Sequence, residues 1–540
     1  MRNLSESCSF LKMRSKAKLN SPLGTFDTIT RTIETDKYYL DNLTDTVDSW
    51  LHYCTFFHEQ MHYYQFASSS LGLFFTCLMD MEYEIIAPLV QELDFIPPFI
   101  NCVENQADEF NKRLHSLREM LGYKKEQVQS FDYVQKLLDE ISDIELFLFV
   151  LEGGFPPEQL EQVTKGRPLR TSLMNKIYYY VSRLYDHTGK DLNAFYDSMK
   201  KKYSPKKSKL ANCNEIMLMS APNGLAFGYN MILESQARYC ELTRLLSYMG
   251  RFNEPENLVK VRQELLKKDD YQTAYNIFAS IVTHLPKELT LVHVFLFCLV
   301  CDYAIHIPVP QTPQLEDSFL ALYDLNLIMP GPRFISICSA LNHALKDDSV
   351  ISTKEWDWGK VQFLELKTLD EWNCFIYALY DAISKDTKYP SPISIAKAFI
   401  ENNYTFDTWR MEYFPFDYDN LVFLEACKTR IEYPLFFINP ELFRLIDREK
   451  YIEISNSQGP LAMKVKKGLI SFSKRKNHEM QQGYLVKRVL SKYLSGLFFG
   501  YEVNMDPKKY FGVSIQDVEM VIKDRYGKVK RFYEGRWECV

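Results

Sequence analysis

Residues 50–67 have the sequence WLHYCTFFHEQMHYYQFA, a run in which aromatic and aliphatic side chains fall on nearly every side of the helix that they would form. The pattern predicts one buried α-helix, with Asp45 or Asp48 as its N-cap and an exit within the serines of residues 68–70. Two histidines and a glutamate inside such a helix would be costly to bury without partners. The segment therefore indicates a polar site within a helical core.

His58 and His62 lie about one helical turn apart, so both imidazoles leave the same face of the helix and can bind one metal ion. Glu59 stands beside the first histidine, where its carboxylate can take a proton from a water on the metal. The chemistry needs two neutral nitrogen donors and a base that is not itself a ligand. We therefore predict Zn²⁺ bound by His58 and His62, with Glu59 as the catalytic residue. A hydrogen-bonded pair of core histidines is the alternative.

A catalytic zinc site takes three protein ligands and leaves one position for water. The metzincin continuation needs glycine and histidine where this chain has Gln65 and Ser68, which excludes that route. Glu82 follows His62 with nineteen residues between them, a spacing known among thermolysin-like enzymes. Ile86, however, stands where those enzymes have an aspartate. Glu82 is therefore kept as the alternative third ligand.

Residues 230–241 have the sequence NMILESQARYCE. Together with the HExxH block, HEQMH at residues 58–62, they resemble the gluzincin type of zincin metallopeptidase, in which a second helix presents a glutamate followed by small residues. The resemblance covers residues 20–250 and implies Glu234 as the third ligand. Arg238 and Glu241 would share its face of the helix. Arg238 is then expected to bind a substrate carboxylate or stabilise an oxyanion, and Glu241 to orient a histidine ligand. The alternative is an exposed salt bridge between Glu234 and Arg238.

The composition excludes several other classes of protein. The chain has 20 glycines but no GxGxxG or P-loop pattern, so common nucleotide-binding folds have no support. Its 12 cysteines are scattered and often lie in apolar runs, which is typical of reduced thiols in a cytosolic protein. No apolar run is long enough to span a bilayer, and the N-terminus has no apolar signal region. We predict a cytoplasmic protein with no membrane partner.

The fold class predicted from these patterns is mainly α with a small β-sheet (α+β), and residues 24–34 are the clearest strand signal. We expect a zincin-like catalytic core followed by a helical C-terminal part. The core would occupy residues 1–310 and carry an exposed basic loop near residues 199–210. A mixed helical region would follow at residues 311–440, and a basic C-terminal region at residues 441–540.

These observations predict a zinc metallopeptidase that hydrolyses peptide bonds through a zinc-activated water, with Glu59 as general base and a protein or peptide as substrate. The alternative is a non-catalytic zincin-fold scaffold or sensor. Residues 441–540 contain 20 Lys and Arg against 12 Asp and Glu, although the whole chain has a net charge of −6. This basic region could bind an acidic protein, whereas nucleic acid is the less favoured partner. A zinc hydrolase that acts on another kind of bond is a third possibility.

Overall fold

The structure is a computed structural model, and it describes the chain in separate ranges. These are residues 24–28, 32–35, 46–92, 128–159, 220–249, 269–284, 291–307, 329–346, 369–402, 423, 426–428, 430–431, 452–455, 462–465, 530–533 and 536–539. The basic loop predicted near residues 199–210 lies outside them, as does most of the basic C-terminal region.

Helices make up most of the described part. They are α1 (Val47–Ser68), α2 (Ser70–Glu92), α3 (Val128–Glu152), α4 (Tyr229–Met249), a 3-10 helix (Asp269–Gln272), α5 (Thr273–Ile281), α6 (Leu291–Ile305), α7 (Pro330–Lys346), α8 (Leu369–Thr387) and α9 (Pro392–Asn402). The strands are β1 (Gly24–Asp27), β2 (Thr32–Thr35), β3 (Ile452–Ser455), β4 (Ala462–Val465), β5 (Lys530–Tyr533) and β6 (Arg536–Cys539).

The predicted α+β class is wrong, because the described part is mainly α and has no sheet that forms a layer on the helices. Each described strand is four residues long and pairs only with its neighbour in the chain, as an antiparallel hairpin. The threonine- and isoleucine-rich segment at residues 24–34 does contain extended backbone. It forms the local pair β1–β2, which packs against α1, and does not join a larger sheet.

Helix α1 carries the HExxH motif and begins one turn earlier than the apolar run suggests. Thr46 is its N-cap, and the Thr46 side chain accepts a hydrogen bond of 3.2 Å from the backbone N–H of Ser49. The N-cap prediction of Asp45 or Asp48 was therefore wrong, since Asp48 lies in the first turn, where its charge favours the helix dipole. The predicted exit is confirmed, because Ser69 has an extended backbone that separates α1 from α2.

Helix α4 lies at the centre of the described part and packs against α1, α3, α5, α6 and α7. Its approach to the end of α3 depends on Gly228, which immediately precedes it. A Cβ atom at Gly228 would lie 2.3 Å from the carbonyl oxygen of Glu152 and 2.5 Å from the backbone nitrogen of Gly153. Both neighbours are backbone atoms that cannot rotate away, so only glycine allows this packing.

Helix α6 is apolar on nearly every side and packs against α4 and α7. No helix in the described ranges is both long and apolar enough to cross a membrane. A buried polar cluster lies at the C-terminal end of α6 and contacts the end of α1. There His306 Nε2 lies 3.1 Å from the carbonyl oxygen of Ser68, which also accepts a hydrogen bond of 3.4 Å from Arg430. Arg430 in turn pairs with Asp302 at 2.5 Å, so the end of the motif helix is anchored from two distant segments.

Candidate metal centre

Two histidines of α1 and one glutamate of α4 converge on a single point. Glu234 places one carboxylate oxygen 3.0 Å from His58 Nε2 and the other 3.4 Å from His62 Nε2. The two Nε2 atoms are themselves 3.1 Å apart. Within the described part of the chain, these three side chains form a group whose ligand atoms all lie within 4.8 Å of one another. The group could therefore bind a metal ion.

The surroundings of Glu234 on α4 are closely packed. Ser235 and Ala237, which follow it, are both fully buried. Glu234 itself keeps 31% of its side-chain surface exposed, whereas the imidazoles of His58 and His62 are buried. Solvent can thus reach the side chain of Glu234, at one side of the group.

The second ring nitrogen of His58 lies close to a charged pair on α4. His58 Nδ1 lies 2.9 Å from Glu241 Oε1, and Arg238 donates a hydrogen bond to the other carboxylate oxygen of Glu241. The Arg238 guanidinium also lies over the ring of Tyr271, 4.4 Å from its centroid. Of the two roles predicted for these residues, the geometry therefore favours orientation of a histidine ligand by Glu241. Arg238 is engaged with Glu241, and its contact with a substrate stays a prediction.

Glu59 is buried next to the group and is not one of its three members. Burial raises the pKa of Glu59 above its usual range, while the neighbouring imidazoles of His62 and His58 oppose that rise. A buried carboxylate close to two imidazoles, with an elevated proton affinity, has the properties of a general base.

The carboxylates also control the protonation of the two imidazoles. Burial lowers the pKa of His58, but Glu241 and Glu234 outweigh this effect and raise it to about 10. Burial likewise opposes protonation of His62, and Glu234 again raises its pKa. In the other direction, the imidazoles outweigh burial and hold the pKa of Glu234 well below its usual range. Without a metal, protons on the imidazoles therefore balance the charge of the carboxylates.

The charge of the site fits a divalent cation. Glu59, Glu234 and Glu241 contribute three carboxylates, against the one guanidinium of Arg238. With neutral imidazoles, and with Glu59 ionised as a general base must be, two negative charges stay uncompensated, which is the charge that a divalent metal ion would neutralise. Two imidazole nitrogens and one carboxylate are also the donor set of His₂Glu catalytic zinc sites. Charge and donor chemistry thus agree with the presence of a metal site.

Some residues are placed differently from the sequence expectation. Glu82, the alternative third ligand, is buried in α2 and does not belong to the group of His58, His62 and Glu234. Tyr271 was not expected near the site, but its ring centroid lies 5.6 Å from that of His58. It comes from the 3-10 helix, which has no motif that could have indicated this position.

Two buried glutamines, Gln65 and Gln236, also lie beside the site, and no role in orienting a ligand was predicted for either. Gln65 lies one turn after His62 on the same face of α1, so the helical spacing could have indicated a contact with that ligand. Gln236 belongs to the block of residues that resembles gluzincins, between Glu234 and Arg238.

Comparison of the chain with protein-family models, with curated proteins and with solved structures finds no match. The functional argument therefore rests on the geometry of the site and on the chemistry of its residues. The resemblance to gluzincins stays a prediction from the sequence.

Proposed function

We propose that this protein is a zinc-dependent metallopeptidase of the gluzincin type. The observation that carries the proposal is the position of Glu234. It lies 176 residues beyond His58 in the chain, yet its carboxylate is 3.0 Å from the Nε2 atom of that histidine. A helix with HExxH alone is compatible with a pair of core histidines, whereas a third ligand at the same point supports a metal site. Zn²⁺ is the ion that this donor set favours.

A bound zinc ion would supply a water of lowered pKa and polarise the carbonyl of the bond to be cleaved. The residues of the chain provide the remaining functions. Glu59 takes the proton of the attacking water and delivers it to the leaving amine, for which its buried position and elevated pKa are suited. Glu241 and Arg238 hold His58 in a fixed orientation, so that Nε2 points to the common centre.

The metal is tested by elemental analysis of the purified full-length chain after reconstitution with zinc. We expect about one zinc per chain, as three protein ligands imply, and a greatly reduced content in Glu234→Ala. A matched change at an exposed glutamate, Glu158→Ala, should leave the zinc content unchanged. Full zinc in Glu234→Ala would contradict its role as the third ligand, and a wild-type chain without zinc would contradict the site as a whole.

The reaction is tested with a library of peptides derived from a whole proteome, in which mass spectrometry detects new termini. We expect cleavage that is lost on chelation and restored by zinc. Glu59→Gln should retain the metal and lower the rate by roughly 100-fold or more, since general base catalysis contributes about 10²–10⁴-fold. Glu158→Gln serves as the control. Full activity in Glu59→Gln would refute the assigned base.

A chain that binds one zinc but cleaves no peptide would overturn the peptidase assignment while leaving the metal site intact. A zinc hydrolase of another substrate class and a zincin-type scaffold or sensor that binds an acidic partner would then become the leading explanations. The metal analysis and the peptide assay thus test two separate parts of the proposal.

A further inference from the structure

The two histidines of the site have different partners at their outer ring nitrogens. His58 Nδ1 faces the carboxylate of Glu241, which is paired with Arg238. His62 Nδ1 instead lies 2.8 Å from Oε1 of Gln65, a neutral amide on the same helix. Gln65 is only 2% exposed, so its polar atoms must be satisfied inside the protein. The question is what fixes the orientation of this amide.

Two acceptors on α4 fix the Gln65 amide. Its Nε2 atom donates to the carbonyl oxygen of Leu233 at 3.0 Å and to Oε1 of Gln236 at 2.8 Å. A carbonyl oxygen can only accept, so an inverted amide would place Oε1 of Gln65 against Leu233 O and lose that bond. Both N–H bonds of Gln65 are therefore used, and its oxygen is left to face His62.

The amide of Gln236 is fixed in the same way from α6. Its Nε2 atom donates to the carbonyl oxygen of Cys298 at 3.2 Å, which leaves Oε1 to accept from Gln65. Gln236 is 1% exposed, and Cys298 is fully buried. The directions of the hydrogen bonds that link Cys298, Gln236 and Gln65 are thus determined by two backbone carbonyl oxygens, of Cys298 and Leu233, which can only accept.

We propose that Gln65 and Gln236 form a buried amide relay that fixes His62 with its proton on Nδ1 and its lone pair on Nε2. Because the Gln65 oxygen can only accept, His62 Nδ1 must donate. In the neutral imidazole the lone pair is then on Nε2, the nitrogen that faces Glu234 and His58. This assignment of positioning residues rests on the proposed metal site. The relay makes the proposed metal site asymmetric, since His58 is oriented by a charged pair and His62 by neutral amides.

The neutrality of the relay follows from the charge of the site. Three carboxylates already face one guanidinium, so a bound divalent cation brings the site to neutrality. A further carboxylate at position 65 would leave an uncompensated negative charge in a buried position, at a high desolvation cost. A glutamine provides the same acceptor oxygen without this charge, and its amide group can also donate to Leu233 and Gln236.

The relay is tested by metal affinity, measured by competition with a chromogenic chelator. Gln65→Met and Gln236→Met keep the size of the side chain but remove its amide. We expect Gln65→Met to weaken zinc binding by about 10–100-fold, the usual effect of losing a group that orients a ligand, and Gln236→Met to weaken it by less. Gln60→Met is the matched control, because Gln60 is on the same helix, is half-exposed and contacts Tyr64. It should change the affinity by less than about 2-fold.

A purely structural role for Gln65 is separated by repeating the change in a His62→Ala background. If Gln65 acts through His62, Gln65→Met causes no further loss of affinity there. An equal loss in both backgrounds, or wild-type affinity in Gln65→Met, would overturn the relay. These outcomes do not depend on peptide cleavage, so a protein that binds zinc but lacks peptidase activity would still test the inference.

A second readout does not require metal at all. The ¹⁵N chemical shifts of histidine-labelled, metal-free protein at alkaline pH show which ring nitrogen carries the proton, and the His62 signals are those missing from His62→Ala. We expect the proton of His62 on Nδ1 in the wild type and a mixture of tautomers in Gln65→Met. A wild-type His62 with its proton on Nε2 would overturn the relay, whatever the metal content of the protein.

Discussion

Glu241 is buried behind His58, and its proposed role is to orient that histidine without binding the metal itself. Its carboxylate lies 2.9 Å from His58 Nδ1 and is not one of the three groups that converge on the centre. Glu241→Gln keeps the shape and removes the charge, which also leaves Arg238 without its anionic partner. We expect metal affinity to fall by about 10–100-fold, as for other groups that orient metal ligands, and less than in Glu234→Ala. Chelator competition measures both variants.

Which variant loses more metal affinity, Glu234→Ala or Glu241→Gln, decides which glutamate is the ligand and which one orients His58. If Glu241 were itself a ligand and Glu234 an exposed partner of Arg238, Glu241→Gln would cause the larger loss. Glu152→Gln, at a half-exposed glutamate at the end of α3, provides a control for the change of side chain and should bind zinc as the wild type does.

The elevated pKa of His58 predicts how pH affects the metal-free and metal-loaded protein. Burial lowers this pKa, but Glu241 and Glu234 raise it to about 10, from an ordinary value near 6.5. The folded, metal-free protein therefore keeps a proton that the unfolded chain releases above about pH 6.5. The stability that this proton provides is fully present below pH 6.5 and is lost as the pH rises to about 10. Metal binding displaces the proton, so protons compete with metal over this range.

We therefore expect the difference in Tm between zinc-loaded and metal-free protein to grow as the pH rises from 6.5 towards 10. Thermal unfolding across this range, with and without zinc, measures the difference. In Glu241→Gln, which lacks the largest cause of the raised pKa, the increase should begin and end at lower pH. A Tm difference that is constant or shrinks with pH would contradict the assigned protonation of His58.

The three side chains that converge in the structure were all named from the sequence. His58 and His62 follow from one helical repeat, and Glu234 from a second helix with a resemblance to known enzymes, while the role of Glu59 as a base stays a prediction. Tyr271 could not be found, because its contact with His58 results only from the packing of the 3-10 helix against α4. A single sequence contains no direct signal for such a distant contact.

At the level of elements, the approach of α4 to the rest of the site depends on Gly228. A Cβ atom there would lie 2.3 Å from the carbonyl oxygen of Glu152, so either the end of α3 or the start of α4 would have to move. We expect Gly228→Ala to lower the stability by about 1–3 kcal/mol, as overpacking usually does. It should also weaken zinc binding, because Glu234 lies less than two turns further along α4. Thermal unfolding and chelator competition measure the two effects.

Gly224→Ala is the control for this prediction. Gly224 has a φ of +80°, so alanine is strained there, but its Cβ would meet no atom within 4 Å. A cost of about 1 kcal/mol in stability with unchanged zinc affinity is expected. Unchanged zinc affinity in Gly228→Ala as well would show that the start of α4 does not position Glu234.

The sequence predicted helix α1 better than the pairing of the strands, because a helix depends on neighbouring residues in the chain and a sheet on the partner strand. The helical pattern of α1 depends on neighbours three and four residues apart, and the structure confirms a helix there, with bounds at Val47 and Ser68. The strand signal at residues 24–34 identifies extended backbone but not its pairing. The segment contains two short strands that pair with each other, β1 and β2, so it forms a hairpin and not one strand of a larger sheet.

At the level of the whole molecule, a buried polar cluster connects α1 to a segment more than 350 residues away. Arg430, 362 positions after Ser68 in the chain, donates to the carbonyl oxygen of Ser68 and pairs with Asp302 on α6. Asp302 also accepts a hydrogen bond of 3.1 Å from Tyr380 on α8. Two of the regions predicted from the sequence, residues 1–310 and 311–440, thus share this cluster, while the predicted division between them stays a prediction.

Removing the charge of Arg430 alone should destabilise the protein more than removing the charges of both Arg430 and Asp302. Arg430→Met leaves the carboxylate of Asp302 buried without its cation, and breaking such a pair usually costs about 3–5 kcal/mol. Asp302→Asn combined with Arg430→Met removes the charge and should recover part of that loss. Urea unfolding of the wild type, the two single variants Arg430→Met and Asp302→Asn, and the double variant gives the coupling free energy between the two residues.

The exposed pair of Lys385 and Asp381, with an N–O distance of 2.6 Å, is the control for burial. Lys385→Met should change the free energy of unfolding by about 0.5 kcal/mol or less, since solvent screens an exposed ion pair. If Arg430→Met had an effect as small as this, the cluster would not anchor the end of α1. If instead Arg430→Met destabilises the protein and also weakens zinc binding, the segment around Arg430 supports the helix that carries His58 and His62, and the metal site depends on residues far beyond those that bind the metal.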